Sequence, residues 1–185
     1  MTEKMIVDYC APTLAGLKTG SLFMVNEGIG TRIIQELCSL NRLLRRYGLT
    51  AVCLKQTVKN TMVYIYRNCD LLRDLQKPKA QAILAEQGYP SCSLEQYVAM
   101  LSRRVRYNDD FPHEIGLFLG YPPDDVKAFM EHPCSGVKCV GCWKAYSNPE
   151  QAQKAFDRYD ACTDYCRRQL NRGISLERLL VARMA

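Results

Sequence analysis

Apolar residues recur along this chain at helical spacing in several segments and at strand spacing in two. Residues 31–47 carry an apolar stripe of helical period, which predicts a helix that ends at Gly48. Residues 49–56 form an apolar run rich in β-formers, and residues 61–67 alternate between two faces. Because only residues 57–60 separate these two segments, the pattern predicts an antiparallel hairpin.

Helical patterns account for most of the remaining chain. Each predicted helix has a capping residue, a proline or a glycine at a position where helices commonly start or stop. These helices begin at or just after residues 70, 78, 93, 148 and 175. In residues 1–30 the pattern is weaker: Pro12 is expected to open a short helix, and four glycines interrupt the residues between it and position 31.

Residues 137–146 predict a third strand, with Trp143 on one face and Tyr146 on the other. We expect this strand to join the hairpin. The order of elements predicts an α+β fold in which several helices cover a small, mostly antiparallel three-stranded sheet. No linker or repeat interrupts the pattern, so a single domain over residues 1–185 is expected.

Residues 110–130 predict two short helices joined by a Gly-Tyr-Pro-Pro corner. Asp110 is expected to cap the first helix, and Pro112 lies in its first turn. Gly120 is placed to end that helix in a left-handed conformation, and Pro123 opens the second. Asp124 and Asp125 then fall at the positive end of the second helix dipole. Because their charges repel phosphate, they also argue against DNA binding by this helix pair.

Composition narrows the classes of partner. The formal net charge of +6 comes from 25 basic and 19 acidic residues, which is mildly basic and makes nucleic acid an unlikely partner. No apolar run approaches the roughly 20 residues of a membrane span, so no membrane association is expected. The first residues lack the apolar segment of a signal peptide, so we expect a cytoplasmic protein whose ten cysteines are reduced thiols.

Three phrases resemble an uncharacterised bacterial family of Clostridia type. They are CAPTLAGLKTGSLF from Cys10, FPHEIGLFLGYPPDDVKAFM from Phe111 and CVGCWKAY from Cys139. Together they extend the resemblance over nearly the whole chain. The resemblance implies a bacterial cytoplasmic source but no established activity.

The C-terminal cysteines are weak candidates for a metal site. Their spacing, with His132 and Cys134 nearby, resembles that of zinc ligands. However, two cysteines of one predicted strand point to opposite faces, and the other two lie on the apolar face of a helix, so we predict no metal. The four weak candidates are Cys139, Cys142, Cys162 and Cys166.

Cys10 and His113 suggest a different chemistry. Cys10 precedes the helix predicted at Pro12, where the helix dipole would lower the pKa of its thiol. His113 is one of only two histidines and could act as a general acid or base, a ligand-binding group or a surface residue. Glu114 is a third catalytic candidate, although its position suits the helix dipole.

A pocket for a small anionic ligand is the leading hypothesis. The pocket would be formed by Lys18, His113 and Trp143, one from each phrase of the resemblance. A thiol- or metal-dependent enzyme that uses Cys10 and His113, or the C-terminal cysteines, is the first alternative, and a protein–protein adaptor is the second. The full set of ligand-binding candidates is Lys18, Tyr64, Arg67, His113, Trp143 and Lys144.

Overall fold

A three-stranded antiparallel sheet lies at the centre of the fold, in a computed structural model that describes residues 1–26, 28–108 and 110–181. Its strands are β1 (Gly20–Val25), β2 (Leu49–Gln56) and β3 (Thr61–Arg67). The spatial order is β1-β3-β2, so β3 pairs with both neighbours. The fold is therefore α+β, as the sequence predicts, and the β2–β3 hairpin is confirmed.

The third strand of the sheet is not the one that the sequence predicts. Residues 137–146 instead form a separate hairpin of two very short strands, β4 (Cys139–Val140) and β5 (Lys144–Ala145). The central sheet takes β1, where Gly20 lies opposite Tyr66. A side chain at Gly20 would come within 2.7 Å of the Phe118 carbonyl oxygen, so this glycine permits close packing and does not break the strand.

The helices account for most of the remaining elements. In chain order they are α1 (Glu3–Leu14), α2 (Thr31–Leu44), α3 (Asn68–Leu75), α4 (Pro78–Glu86), α5 (Leu94–Tyr107), α6 (Ile115–Phe118), α7 (Pro123–Glu131), α8 (Pro149–Asn171) and α9 (Leu176–Val181). The capping box of α5 is formed as predicted. Of the described helices, none is both long and apolar enough to cross a membrane.

Two local predictions are wrong. Pro12 does not open a helix but lies in the last turn of α1, whose N-terminal cap is Thr2. Near the corner, α6 begins at Ile115, so Glu114 and not Asp110 directly precedes it. Because a proline marks only a position without an N–H donor, it does not by itself locate the start of a helix.

The two faces of the sheet pack separate apolar cores. Val63 and Ile65 point into a core shared with α1, α2, α8 and α9. Tyr64 and Tyr66 alternate with them and point into a second core shared with α3, α4, α5, α6 and α7. A small third cluster of Ala145, Ala152 and Phe156 fixes the β4–β5 hairpin on α8.

Side chains cover the outer edge of β2. Asn41 exchanges two hydrogen bonds with the backbone of Ala51, at 2.7 and 2.8 Å. Ser102 and Arg106 both donate to the carbonyl oxygen of Leu54, at 3.0 and 2.6 Å. These contacts satisfy backbone groups that would otherwise be open to pairing with another strand.

Adjacent leucines of α3 provide a matched test of the second core. Leu71 is fully buried, whereas Leu72 is 38% exposed. We expect Leu71→Ala to lower the free energy of unfolding by about 2–5 kcal/mol, because it leaves a cavity. Leu72→Ala should cost less than about 1 kcal/mol. Urea denaturation followed by circular dichroism checks both values, and equal losses would contradict this packing.

Candidate functional site

An aromatic cavity of about 250 Å³ lies between the α6–α7 corner and the β4–β5 hairpin. Its walls come from two of the three phrases of the resemblance, which the fold brings face to face. Most of the lining is apolar, and four residues contribute charged or titratable side chains. The lining residues are Phe111, His113, Ile115, Gly116, Tyr121, Asp125, Val126, Phe129, Trp143 and Lys144.

Tyr121 joins the corner to the hairpin. Gly120 has a left-handed backbone with φ of 80°, which ends α6 and turns the chain towards α7. The Tyr121 ring then stacks on Trp143 with centroids 5.0 Å apart, and its hydroxyl donates to the Cys142 carbonyl oxygen at 2.8 Å. This stacked pair forms one wall of the cavity.

Asp125 is a buried carboxylate without a basic partner within ion-pair distance among the described residues. It accepts three hydrogen bonds from the hairpin: the indole N–H of Trp143 at 2.9 Å, and the backbone N–H groups of Tyr146 at 2.9 Å and Ser147 at 2.8 Å. Burial acts to raise the pKa of Asp125, but these three donors outweigh it and hold that pKa below its usual value. The carboxylate therefore fixes the orientation of Trp143.

His113 and Lys144 lie around the Phe129 ring. The exposed imidazole of His113 meets that ring edge-on, with centroids 5.0 Å apart. The Lys144 ammonium lies 5.5 Å from the ring centroid and donates one hydrogen bond to the Pro133 carbonyl oxygen at 2.8 Å. Because an ammonium has three donors, Lys144 keeps hydrogen-bonding capacity towards a ligand.

Glu114 points away from the cavity into the protein. Its side chain is 1% exposed and accepts from the Arg104 guanidinium at 2.6 Å and from the Tyr89 hydroxyl at 3.0 Å. Arg104 in turn donates to the Gln87 carbonyl oxygen at 3.0 Å. These contacts tie α5 to the corner, which is a structural role for this catalytic candidate.

Lys18 lies behind the stacked pair. Its ammonium is 5.3 Å from the centroid of the Tyr121 ring, on a second cavity of about 430 Å³ that also includes Cys142 and Tyr159. The structure thus brings His113, Trp143 and Lys144 to one cavity, whereas Lys18 lines the other cavity and contacts the Tyr121 ring.

The two other ligand-binding candidates lie elsewhere. Tyr64 is fully buried and donates from its hydroxyl to the Phe118 carbonyl oxygen at 2.5 Å. Arg67 donates to the carbonyl oxygens of Thr13 and Leu14 at 3.3 and 3.2 Å, where it caps the end of α1. Both side chains are engaged in holding the fold together.

Cys10 does not precede a helix, because it lies inside α1. The dipole argument for a lowered thiol pKa therefore fails. Burial instead raises the pKa of Cys10 to about 12, although the neighbouring Lys18 charge and Ser21 hydroxyl act to lower it. The imidazole of His113 contacts Phe111 and Phe129 at the cavity, so it does not activate this thiol.

The four C-terminal cysteines are distributed over three locations. Cys162 and Cys166 are buried one turn apart on α8, in the first core. Cys139 donates to Gln153, and Cys142 is exposed beside Lys18. Within the described ranges, no group of three or more histidine, cysteine, aspartate or glutamate side chains is placed to hold a metal ion.

Sequence reasoning did not indicate seven of the ten cavity residues, and Tyr121, Asp125 and Phe129 are the most important of the seven. The sequence pattern indicates only a helix-dipole charge at Asp125, as at Asp124. One signal separates the two acids, because Asp125 lies four residues before Phe129 and so shares the apolar face of α7. Its actual partners come from a distant hairpin, and no local pattern indicates them.

Exposed thiols should react faster than buried ones. The exposed thiols of Cys38, Cys69, Cys134 and Cys142 are expected to react quickly with a disulfide reagent in the native protein. Cys10, Cys162 and Cys166 should react at least about a hundredfold more slowly, because the fold must open first. Peptide mass spectrometry after timed labelling measures this, and fast labelling of Cys10 would contradict its burial.

Replacing the buried carboxylate should loosen the hairpin. We expect Asp125→Asn to lower the free energy of unfolding by about 1–3 kcal/mol. The NH2 group of the asparagine would face N–H donors that need an acceptor, so hydrogen bonds would be lost. The emission of Trp143 should shift to longer wavelength at the same time. The neighbour Asp124→Asn, which removes an exposed ion pair to Lys79, is the matched control and should cost less than about 1 kcal/mol.

The contribution of Asp125 to the stability of the fold should decrease at low pH. Its pKa is lower in the folded protein, so its stabilisation is complete above the pKa of an unfolded aspartate, about 3.9, and is lost as the pH falls through the folded pKa. The difference in unfolding free energy between the parent and Asp125→Asn should be constant between about pH 5 and 7 and shrink below about pH 4. A difference that stays constant down to about pH 2 would contradict this assignment.

Comparison with known proteins identifies the family. No curated protein matches this chain, and no solved structure matches it. One family model matches residues 6–180, which include both cavities and all three phrases. The chain therefore belongs to the family described as protein of unknown function DUF3793.

Proposed function

We propose that this chain is a single-domain binding module that holds a small, mainly apolar ligand with an acidic group in the aromatic cavity. The observation that carries the proposal is the cavity itself, whose wall is the Tyr121–Trp143 stack. We further propose that the protein works in a bacterial cytoplasm. Its ten cysteines, all in the described part of the chain and none of them paired, support that location, because exported proteins commonly use cysteines as disulfides.

The size of the cavity limits the ligand. A cavity of about 150 Å³ is large enough to hold benzene. At about 250 Å³, this cavity has room for one aromatic ring with a short substituent. The Tyr121, Phe129 and Trp143 rings offer flat faces and edges against which such a ring can pack.

The charges around the cavity suit an acidic group. The Asp125 carboxylate keeps its negative charge, and the dipoles of its three N–H donors partly offset the repulsion that a ligand anion would meet. Lys144 supplies a positive charge beside Phe129, and the exposed His113 ring supplies a further nitrogen donor. A carboxylate, sulfonate or phosphate on the ligand would meet these two side chains.

The single tryptophan allows a direct test with 4-nitrobenzoate, an aromatic carboxylate with one ring. Binding in the cavity should quench the fluorescence of Trp143, because a nitroaromatic ring quenches an indole that it contacts. We expect Phe129→Ala to weaken this binding by about tenfold, because a wall of the site is removed. His113→Gln should weaken it by about fivefold, which is equivalent to about 1 kcal/mol for one hydrogen bond.

His132→Gln is the matched control, because it replaces the other histidine, which is exposed at the end of α7. This variant should bind 4-nitrobenzoate as the parent does. Equal weakening by both histidine substitutions, or binding measured by calorimetry without quenching of Trp143, would refute the proposed site. Thermal unfolding of each variant separates lost binding from lost folding.

A further inference from the structure

Lys18 occupies an unusual position in the second cavity. Its backbone is held at the end of α1, where its N–H donates to the Pro12 carbonyl oxygen at 3.2 Å. The ammonium lies between two aromatic faces, 5.3 Å from the Tyr121 centroid and 6.0 Å from the Tyr159 centroid. Through the described ranges, no carboxylate lies within ion-pair distance of it.

Arg167 of the same cavity, unlike Lys18, has carboxylate partners. Its guanidinium pairs with Asp8 at 2.6 Å and with Asp164 at 3.4 Å. Two carboxylates of this cavity are thus drawn to Arg167, and Lys18 is left with the rings and with the thiol of Cys142. A lysine that only shields the core would extend into open solvent, whereas this amine faces a cavity of about 430 Å³.

The charges of this cavity disfavour an anion. Asp8, Asp160 and Asp164 line it together with two basic groups, Lys18 and Arg167, so the acids outnumber the bases. A ligand held at Lys18 should therefore be uncharged. Among uncharged groups, an aldehyde or ketone carbonyl is the one with which an amine reacts to form a bond.

We propose that Lys18 is a nucleophilic amine that captures a small, uncharged aldehyde or ketone as an imine. The lone pair of Nζ forms a bond to the carbonyl carbon, and the carbon–oxygen bond then breaks. The oxygen leaves as water with the two hydrogens of the amine, so the C=N bond replaces the C=O bond without any oxidant or reductant. This function is separate from ligand binding in the aromatic cavity.

The surroundings of Lys18 favour the reactive form. Burial lowers the pKa of Lys18 below its usual value, while the neighbouring thiols of Cys142 and Cys10 act in the opposite direction. A lower pKa increases the fraction of neutral amine at physiological pH, about tenfold for each unit. The same effect of burial activates lysines in enzymes that form imines.

Reductive trapping tests this proposal on the full chain. Propionaldehyde and cyanoborohydride convert an imine into a stable propyl-lysine, and peptide mass spectrometry measures the rate at every lysine. We expect Lys18 to be labelled at pH 7 at least about tenfold faster than the exposed Lys138 and Lys154, and this preference should disappear in urea. Lys18 labelling no faster than at these two lysines, or an unchanged preference in urea, would overturn the proposal.

Two further measurements define the site. Cys142→Ser should keep the fast labelling of Lys18, and its loss would mean that the thiol captures the aldehyde first, which also overturns the proposal. Relative to the exposed Lys138, Lys18 should trap the anionic ketone pyruvate less than it traps the uncharged ketone acetone, because the ratio removes the difference in intrinsic reactivity. A larger ratio with pyruvate would refute the inference that the site takes uncharged carbonyls.

Discussion

The hydrogen bonds of Asp125 are the contact on which the site depends. Strands of two residues, such as β4 and β5, are too short to be stable as an isolated hairpin. One carboxylate on α7 accepts from Trp143 and from the backbone of Tyr146 and Ser147, and so attaches the hairpin to the corner. Phe156 of α8 supports Trp143 by an edge-to-face contact, with centroids 4.5 Å apart.

Tyr121 connects the two cavities through one ring. Trp143 stacks on this ring in the aromatic cavity, and the Lys18 ammonium lies over it in the second. The hydroxyl of Tyr121 also holds the backbone at Cys142, whose side chain lines that second cavity. A ligand that displaces the Tyr121 ring from either side therefore alters the environment of the other cavity.

Sequence reasoning predicted the parts of the fold that local signals specify. The bounds of β2 follow from a run of β-forming residues and those of β3 from alternation, and the start of α5 follows from its capping box. It missed β1, because pairing with β3 and the lack of a side chain at Gly20 make that segment a strand. Both are contacts with distant residues, which a local pattern does not contain.

In the candidate site, too, the sequence indicated some residues, whereas others depend on contacts between distant parts of the chain. The sequence indicated His113, Trp143 and Lys144, and the fold places all three at one cavity. It did not indicate Asp125, whose donors lie 18 to 22 residues further along the chain. The dipole argument for a reactive Cys10 failed because Pro12 lies at the end of a helix and not at its start.

The two cores differ in how the chain completes them during synthesis. The buried residues of the second core all come from one continuous stretch, from Leu54 to Val126, so this core can form while the C-terminal part is still being made. The first core also needs Cys162 and Leu180, which lie near the other end of the chain. The apolar face of α1 must therefore stay partly uncovered until α8 and α9 have left the ribosome.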